Sequence, residues 1–261
     1  MGFDLDKKVR IIGAGLAGSE AAWQCARRGV GVELYEMRPV RATPAHQTGE
    51  FAELVCSNSL KSESENTAPW LLKEEMRRAG SLLLEIARET VVPAGHALAV
   101  DRTEFSRKVT EKISGERLIT VCREEVTRVE EGQLTIVATG PLTSDLLSRE
   151  ILRLSSAVET RDGGRAASRA VAPAPHEHRY SHEHRYENSH LYFYDSISPI
   201  VEADSIDMSK VYLAARYDKG SADYINCPMS KDEYDRFYDA LIAAQSVEQK
   251  DWENLNYFES C

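Results

Sequence analysis

The chain has 261 residues, of which 42% are hydrophobic and 28% charged, and its formal net charge is −10. That length suits one full domain plus part of a second, and the best apolar run, Ser81-Leu-Leu-Leu-Glu-Ile-Ala87, is broken by Glu85 far short of the roughly 18 residues that span a bilayer. The acidic balance argues against a broadly basic nucleic-acid-binding surface and leaves room for a local patch.

The first residues, Met1-Gly-Phe-Asp-Leu-Asp-Lys-Lys8, carry acids and no apolar core, so no secretory leader is expected. Lys8 to Ile12 reads as a strand, Gly13-Ala-Gly-Leu-Ala-Gly18 as a turn, and Ser19 to Arg28 as a helix stopped by Gly29. Val30 to Tyr35 alternates into a second strand that ends at Glu36, and a loop rich in Pro, Thr and His runs to about residue 66. Leu72, Met76, Ala79, Leu83 and Ile86 recur at helical spacing and predict one long helix over Thr67 to Glu89. Ala97 to Val100 reads as a strand, and Asp101-Arg-Thr-Glu104 as a capping box for a helix with Phe105, Val109 and Ile113 on one face. Strands are expected at Leu118 to Val121, Glu125 to Val129 and Leu134 to Ala138.

Residues 155–190 break this pattern. Ala, Arg, Ser and Gly dominate, and a His-Glu-His-Arg-Tyr unit occurs twice, at His176 and His182. Such a composition buries no core, so a flexible His-rich insertion is expected, and no metal site, because Cys or Asp partners are missing. Order resumes at Leu191 to Asp195, with a strand at Val211 to Ala215. A second capping box, Ser230 to Glu233, then starts a helix whose apolar face is Tyr234, Phe237, Tyr238, Leu241 and Ile242.

The strand–turn–helix context makes Gly13, Gly15 and Gly18 a dinucleotide fingerprint. Gly13 allows the tight turn, Gly15 lets backbone amides approach a pyrophosphate at the helix N-terminus, and Gly18 lets the helix pack on the sheet. Glu36, closing the next strand, is placed to accept from a ribose hydroxyl. FAD and NAD share this fingerprint. The strand Thr135-Ile-Val-Ala-Thr139 followed by Gly140 resembles the second motif of two-dinucleotide flavoproteins and favours FAD.

The five cysteines, Cys25, Cys56, Cys122, Cys227 and Cys261, are widely spaced and odd in number, which fits neither a disulfide framework nor a CxxC metal site and points to the cytoplasm. Most free cysteines are small buried hydrophobes. Cys227 has a more specific setting: Pro228 holds it extended, and the helix start at Ser230 could favour its thiolate.

Together the segments Ile11–Trp23, Leu34–Pro39, Phe51–Leu60, Ala97–Arg102, Ala138–Thr143 and Tyr212–Met229 resemble the folate- and FAD-dependent tRNA uracil-5-methyltransferases; the Cys56-Ser-Asn-Ser59 and Asn226-Cys-Pro-Met229 motifs are the specific ones. The resemblance implies an α/β chain: a Rossmann-like FAD-binding domain over 1–154, the insertion over 155–190, and part of an α+β insertion domain over 191–261. It implies that Gly13, Ala14, Gly15, Leu16, Ala17, Gly18, Glu36, Arg38 and Gly140 contact FAD. Methylenetetrahydrofolate and NAD(P)H are the implied co-substrates, and the T-arm of tRNA the implied partner. Cys227 corresponds to a nucleophile toward uracil C6 and Cys56 to the group that handles the C5 proton, in an order the residues leave open. The family pattern continues past Cys261, so the chain is expected to be its N-terminal portion. Two other classes stay open: a non-catalytic FAD-binding remnant, and an NAD(P)H-dependent flavin oxidoreductase.

Overall fold

The structure is a computed structural model and describes residues 8–161, 201, 203–215 and 221–245. Strand β1 (Val9–Ile12) leads through Gly13–Gly15 into helix α1 (Leu16–Arg27), which returns the chain to β2 (Val32–Tyr35). The helix starts earlier than Ser19 because Gly15 serves as its N-cap, so the last half of the glycine motif forms the first turn. β1 and β2 pair in parallel with Ile11 opposite Leu34, and both side chains are fully buried.

The chain then leaves the sheet for a long excursion. β3 (Ser59–Ser62), α2 (Ala68–Arg78), α3 (Leu82–Glu89), β4 (Val91–Val92), β5 (Ala97–Val100) and α4 (Arg102–Ser114) follow, and the three strands form an antiparallel sheet in the order β3-β5-β4. The chain rejoins the first sheet as β6 (Ile119–Cys122) beside β2 and crosses to the other side of β1 as β7 (Thr135–Val137). The resulting order, β6-β2-β1-β7, is wholly parallel and reverses direction at β1. In such a sheet the ligand crevice lies at the strand carboxyl ends where the order reverses. The core fills the space between α1, α3 and α4 and the sheet: Ala22 and Ala26, Leu82, Leu83, Leu84 and Ile86, and Phe105, Val109 and Ile113. Beyond it come α5 (Asp145–Arg161), the antiparallel pair β8 (Tyr212–Ala214) and β9 (Tyr224–Asn226), and α6 (Lys231–Ala243). Among the described residues no helix is long and apolar enough to cross a membrane.

Several expectations change. The single helix over Thr67 to Glu89 is two, because Gly80 adopts φ +75° and Ser81 caps a new helix with its side chain. The inward face of α2 is also rotated: Leu72 is exposed, whereas Lys73 is buried with its ammonium on the carbonyls of Leu60 (2.9 Å) and Ser62 (2.8 Å). Glu125 to Val129 is irregular and not a strand, and the loop after Glu36 contains β3. Helix α5, unforeseen, carries the chain to Arg161, into the stretch expected to be a flexible insertion. The remainder of that stretch, and the return of order expected at Leu191 to Asp195, lie outside the described residues. The Asp101 cap is present, its carboxylate accepting from Thr103 and Glu104 amides. The Ser230 capping box is complete, but the apolar face of its helix, Tyr234 to Ile242, is exposed.

Candidate nucleotide-binding site and cysteine segments

The glycine turn lies between β1 and β7. Gly13 has φ +98°, a left-handed conformation that L side chains avoid, and a Cβ there would fall 2.7 Å from the Ala138 carbonyl oxygen. A Cβ on Gly18 would fall 1.8 Å from the Gly13 carbonyl oxygen, so α1 touches the turn backbone to backbone. Gly15 is different: nothing lies within 4 Å of its Cβ position. The first amides of a helix have no intrahelical partner. Here no side chain caps them and no acid sits in the first turn. Leu16 and Ala17 therefore head a helix whose positive end faces an open space of pyrophosphate-binding character.

That space is a cleft of about 340 Å³ lined by Gly15, Glu36, Arg38, His46, Val55 and Gly140 among others. Gly140, at φ +62°, begins a 3-10 turn whose residues Gly140 to Leu142 line the same cleft. Ala14 faces inward: its amide donates to Glu36 Oε2 (3.0 Å), and its carbonyl accepts from Ala52 N (2.9 Å) and Ser19 Oγ (3.1 Å). It therefore braces the turn, leaving the anion-facing amides to its neighbours.

Glu36 is buried and fully engaged. Oε1 accepts from Arg38 N (3.0 Å) and Nε (2.9 Å), and Oε2 accepts from Ala14 N and from Arg38 Nη2 (3.2 Å). Burial pushes its pKa up, but the hydrogen bonds and charge of Arg38, with the Ala14 amide, outweigh burial and hold it below the ordinary carboxylate value. A carboxylate offers about four acceptor positions, so a ribose hydroxyl at Glu36 shares or replaces an Arg38 contact. Arg38 also reaches Glu53 Oε2 at 3.0 Å, and Glu53 accepts the amides of Gln47 (2.9 Å) and Thr48 (3.1 Å). No local pattern in the sequence singles out Glu53 as a partner of Arg38. The same holds for Arg123, whose guanidinium donates to the Arg38 (2.9 Å) and Gly49 (2.7 Å) carbonyls and lies 4.2 Å over the Phe51 ring. His46, bonded to Thr43 at 2.6 Å, has its pKa pushed down by burial and by Arg38, so it is uncharged at neutral pH.

Cys56 follows the cleft residue Val55 and precedes β3. Cys227 is exposed and directly follows β9. Its helix, α6, already holds Asp232 and Glu233 in the first turn, which offset the positive helix end expected to favour a thiolate there. The other two described thiols are less available: burial pushes Cys25 up against the pull of Arg28, and burial followed by Glu33 pushes Cys122 up. Limited alkylation at pH 7.5 with mass mapping should therefore label Cys227 at least about tenfold faster than Cys25 or Cys122, because the thiolate is the reactive form. Labelling of Cys25 ahead of Cys227 would refute that order. Among the described residues no group of three His, Cys, Asp or Glu is placed to hold a metal ion.

The family model described as glucose inhibited division protein A matches residues 8–261. The chain belongs to the glucose inhibited division protein A family. Its relatives include the methylenetetrahydrofolate–tRNA-(uracil-5-)-methyltransferase TrmFO of Koribacter versatilis, 66% identical over 258 residues, covering 98% of this chain and 51% of the relative. The protein of the same name from Bacillus licheniformis is 51% identical over 257 residues, covering 98% of this chain and 52% of its own length. The chain thus spans about half the length of the curated relatives it matches. Among solved structures, Aquifex aeolicus GidA matches 50% of this chain and 22% of its own, with 18% identity and a TM-score of 0.38.

Proposed function

We propose that this chain forms the nucleotide-binding half of a folate- and FAD-dependent tRNA uracil-5-methyltransferase acting in the cytoplasm. The observation that carries this reading is the uncapped α1 terminus over an open Gly15, beside the buried Glu36, in a chain 66% identical across 98% of its length to a protein of that name. The amides of Gly15, Leu16 and Ala17 would hold the FAD pyrophosphate, Glu36 and Arg38 would serve its ribose, and Gly140 lines the same cleft. FAD held there would supply the redox chemistry and the carrier site needed for a one-carbon unit drawn from methylenetetrahydrofolate, with NAD(P)H as the reductant.

The chain's own contribution to transfer is nucleophilic and proton chemistry at the T-arm uridine of tRNA. C5 of uracil is a poor nucleophile until an enolate forms. The Cys227 thiolate adds to C6, forming a C–S bond and moving the ring π electrons onto the C4 oxygen. C5 then bonds the carbon. Cys56, as thiolate, removes the C5 proton as the bond between that carbon and its carrier nitrogen breaks, leaving an exocyclic methylene on C5; a hydride equivalent originating from NAD(P)H would reduce this methylene to methyl as the Cys227 sulfur leaves C6 and the 5,6 double bond is restored. A thiol suits the first step because it both adds and leaves readily.

The test is a chimera in which this chain replaces the matching half of the Koribacter relative. Flavin should copurify with it, and it should methylate tRNA that lacks ribothymidine in the presence of methylenetetrahydrofolate and NAD(P)H. Cys227→Ala should retain flavin and lose at least about a thousandfold in kcat. A flavin-free chimera, or a Cys227→Ala protein of unchanged turnover, would reject the reading.

A further inference from the structure

Strand β5 meets both cysteine segments, one at each end. At its start, the Ala94–Gly95 turn is gripped by the β8–β9 hairpin. Asp223 Oδ2 accepts the Gly95 amide at 2.8 Å, and the Tyr224 hydroxyl donates to the Ala94 carbonyl at 2.8 Å. Tyr224 opens β9, and β9 runs directly into Cys227. At the other end, Val100 N donates to the Asn58 carbonyl (3.0 Å) and Asn58 Nδ2 donates to the Val100 carbonyl (2.9 Å), while Arg102 reaches the Leu54 carbonyl at 3.5 Å. Leu54 and Asn58 bracket Cys56. One four-residue strand, on the order of 13 Å long, therefore links the two segments.

The grip is built for a fixed geometry. Gly95 takes φ +58°, a left-handed conformation that glycine adopts without steric cost. Asp223 is itself held by the Ser221 hydroxyl. That hydrogen bond and the one from the Gly95 amide keep the carboxyl below the ordinary range and hence charged at neutral pH. A charged acceptor strengthens the bond to the Gly95 amide.

We propose that Asp223 and Tyr224 are positioning residues that latch the Cys227 strand onto the β4–β5 turn, so that β5 sets the separation of Cys227 from Cys56. The inference rests on the reading of the two cysteines as a working pair, and its test does not depend on turnover. It needs neither residue to touch the substrate. What it needs is that loss of the latch frees Cys227 to wander relative to Cys56 while the core stays folded.

The experiment uses the full chain with Cys25, Cys122 and Cys261 replaced by serine, treated with bismaleimides of graded spacer length, and read as the yield of the Cys56–Cys227 cross-link. The parent should cross-link within a narrow band of spacer lengths. Asp223→Ala and, separately, Tyr224→Phe should broaden that band, and Asp223→Ala should raise hydrogen exchange at the Gly95 amide about tenfold. Asp223→Asn keeps an acceptor for the Gly95 amide and should restore the parent profile. A profile unchanged in both Asp223→Ala and Tyr224→Phe overturns the proposal, as does an Asp223→Asn profile as broad as that of Asp223→Ala. Should Cys227→Ala leave methylation intact, the proposed function fails, while the cross-linking profile still decides the latch.

Discussion

Gly18→Val is expected to unfold the β1–α1 turn, whereas Gly15→Val, three residues away, is expected to fold normally and lose the nucleotide. A Cβ at Gly18 would fall 1.8 Å from the Gly13 carbonyl oxygen, and that atom belongs to a turn whose own Cβ position lies against the Ala138 backbone. No flexible side chain is available to yield, so α1 must lift off the sheet, and Ala22 and Ala26 leave their contacts with it. Overpacking of this kind costs about 3 kcal/mol or more. Gly15, by contrast, has an extended backbone that other residues adopt, and open space around it. A valine there should change stability by no more than about 1 kcal/mol, while its side chain fills the pyrophosphate approach and lowers flavin affinity about 10- to 100-fold. Urea midpoints and flavin content of the purified proteins measure the two effects. A stably folded Gly18→Val protein, or wild-type flavin content in Gly15→Val, contradicts this division of roles.

Arg38→Met should cost about 3–5 kcal/mol at pH 7. The guanidinium is buried between two carboxylates, Glu36 and Glu53, and its removal leaves both without their cationic partner. The pH dependence carries the sign. In the native protein the carboxyl of Glu36 is held below its unfolded value, so its contribution to stability is complete above about pH 4.3 and is lost as the pH falls through the lower, folded value. In Arg38→Met, burial acts on Glu36 without that compensation, and the carboxyl is pushed up. The deficit should therefore shrink as the pH is lowered toward 4.5 and Glu36 takes up a proton. Urea unfolding at the two pH values checks this; a deficit under about 1 kcal/mol, or one of equal size at both, would show that the network contributes little.

The local rules in the sequence were enough to place β1, α1 and β2. Gly13, Gly15 and Gly18 each meet a steric demand made by atoms a few residues away, and Glu36 closes the strand that pairs with β1. The Asp101 and Ser230 caps were legible for the same reason: a helix terminus is satisfied by its own neighbours. Periodicity failed at α2 because the spacing of Met76, Leu83 and Ile86 runs unbroken across Gly80, and because the inward face is decided by what it meets. The carbonyls of Leu60 and Ser62 require a donor, so Lys73 turns in and Leu72 turns out. Nothing in a linear pattern reports a carbonyl left unpaired by a distant strand.

The pairing of Arg38 with Glu53 was hidden in the same way, since a buried charge finds its partner through the fold and not through spacing. The two cysteines show the limit most clearly. Their motifs stand out in the sequence, but their relation to one another does not. It depends on bonds between Gly95 and Asp223, 128 positions apart, and between Ala94 and Tyr224, 130 apart. The sequence by itself determined the nucleotide fold, because a tight turn and a helix start are short-range problems with few steric solutions. Tertiary structure alone decided that Cys56 and Cys227 are fastened to opposite ends of β5, because each attachment is a hydrogen bond that forms only after the chain has closed a long loop.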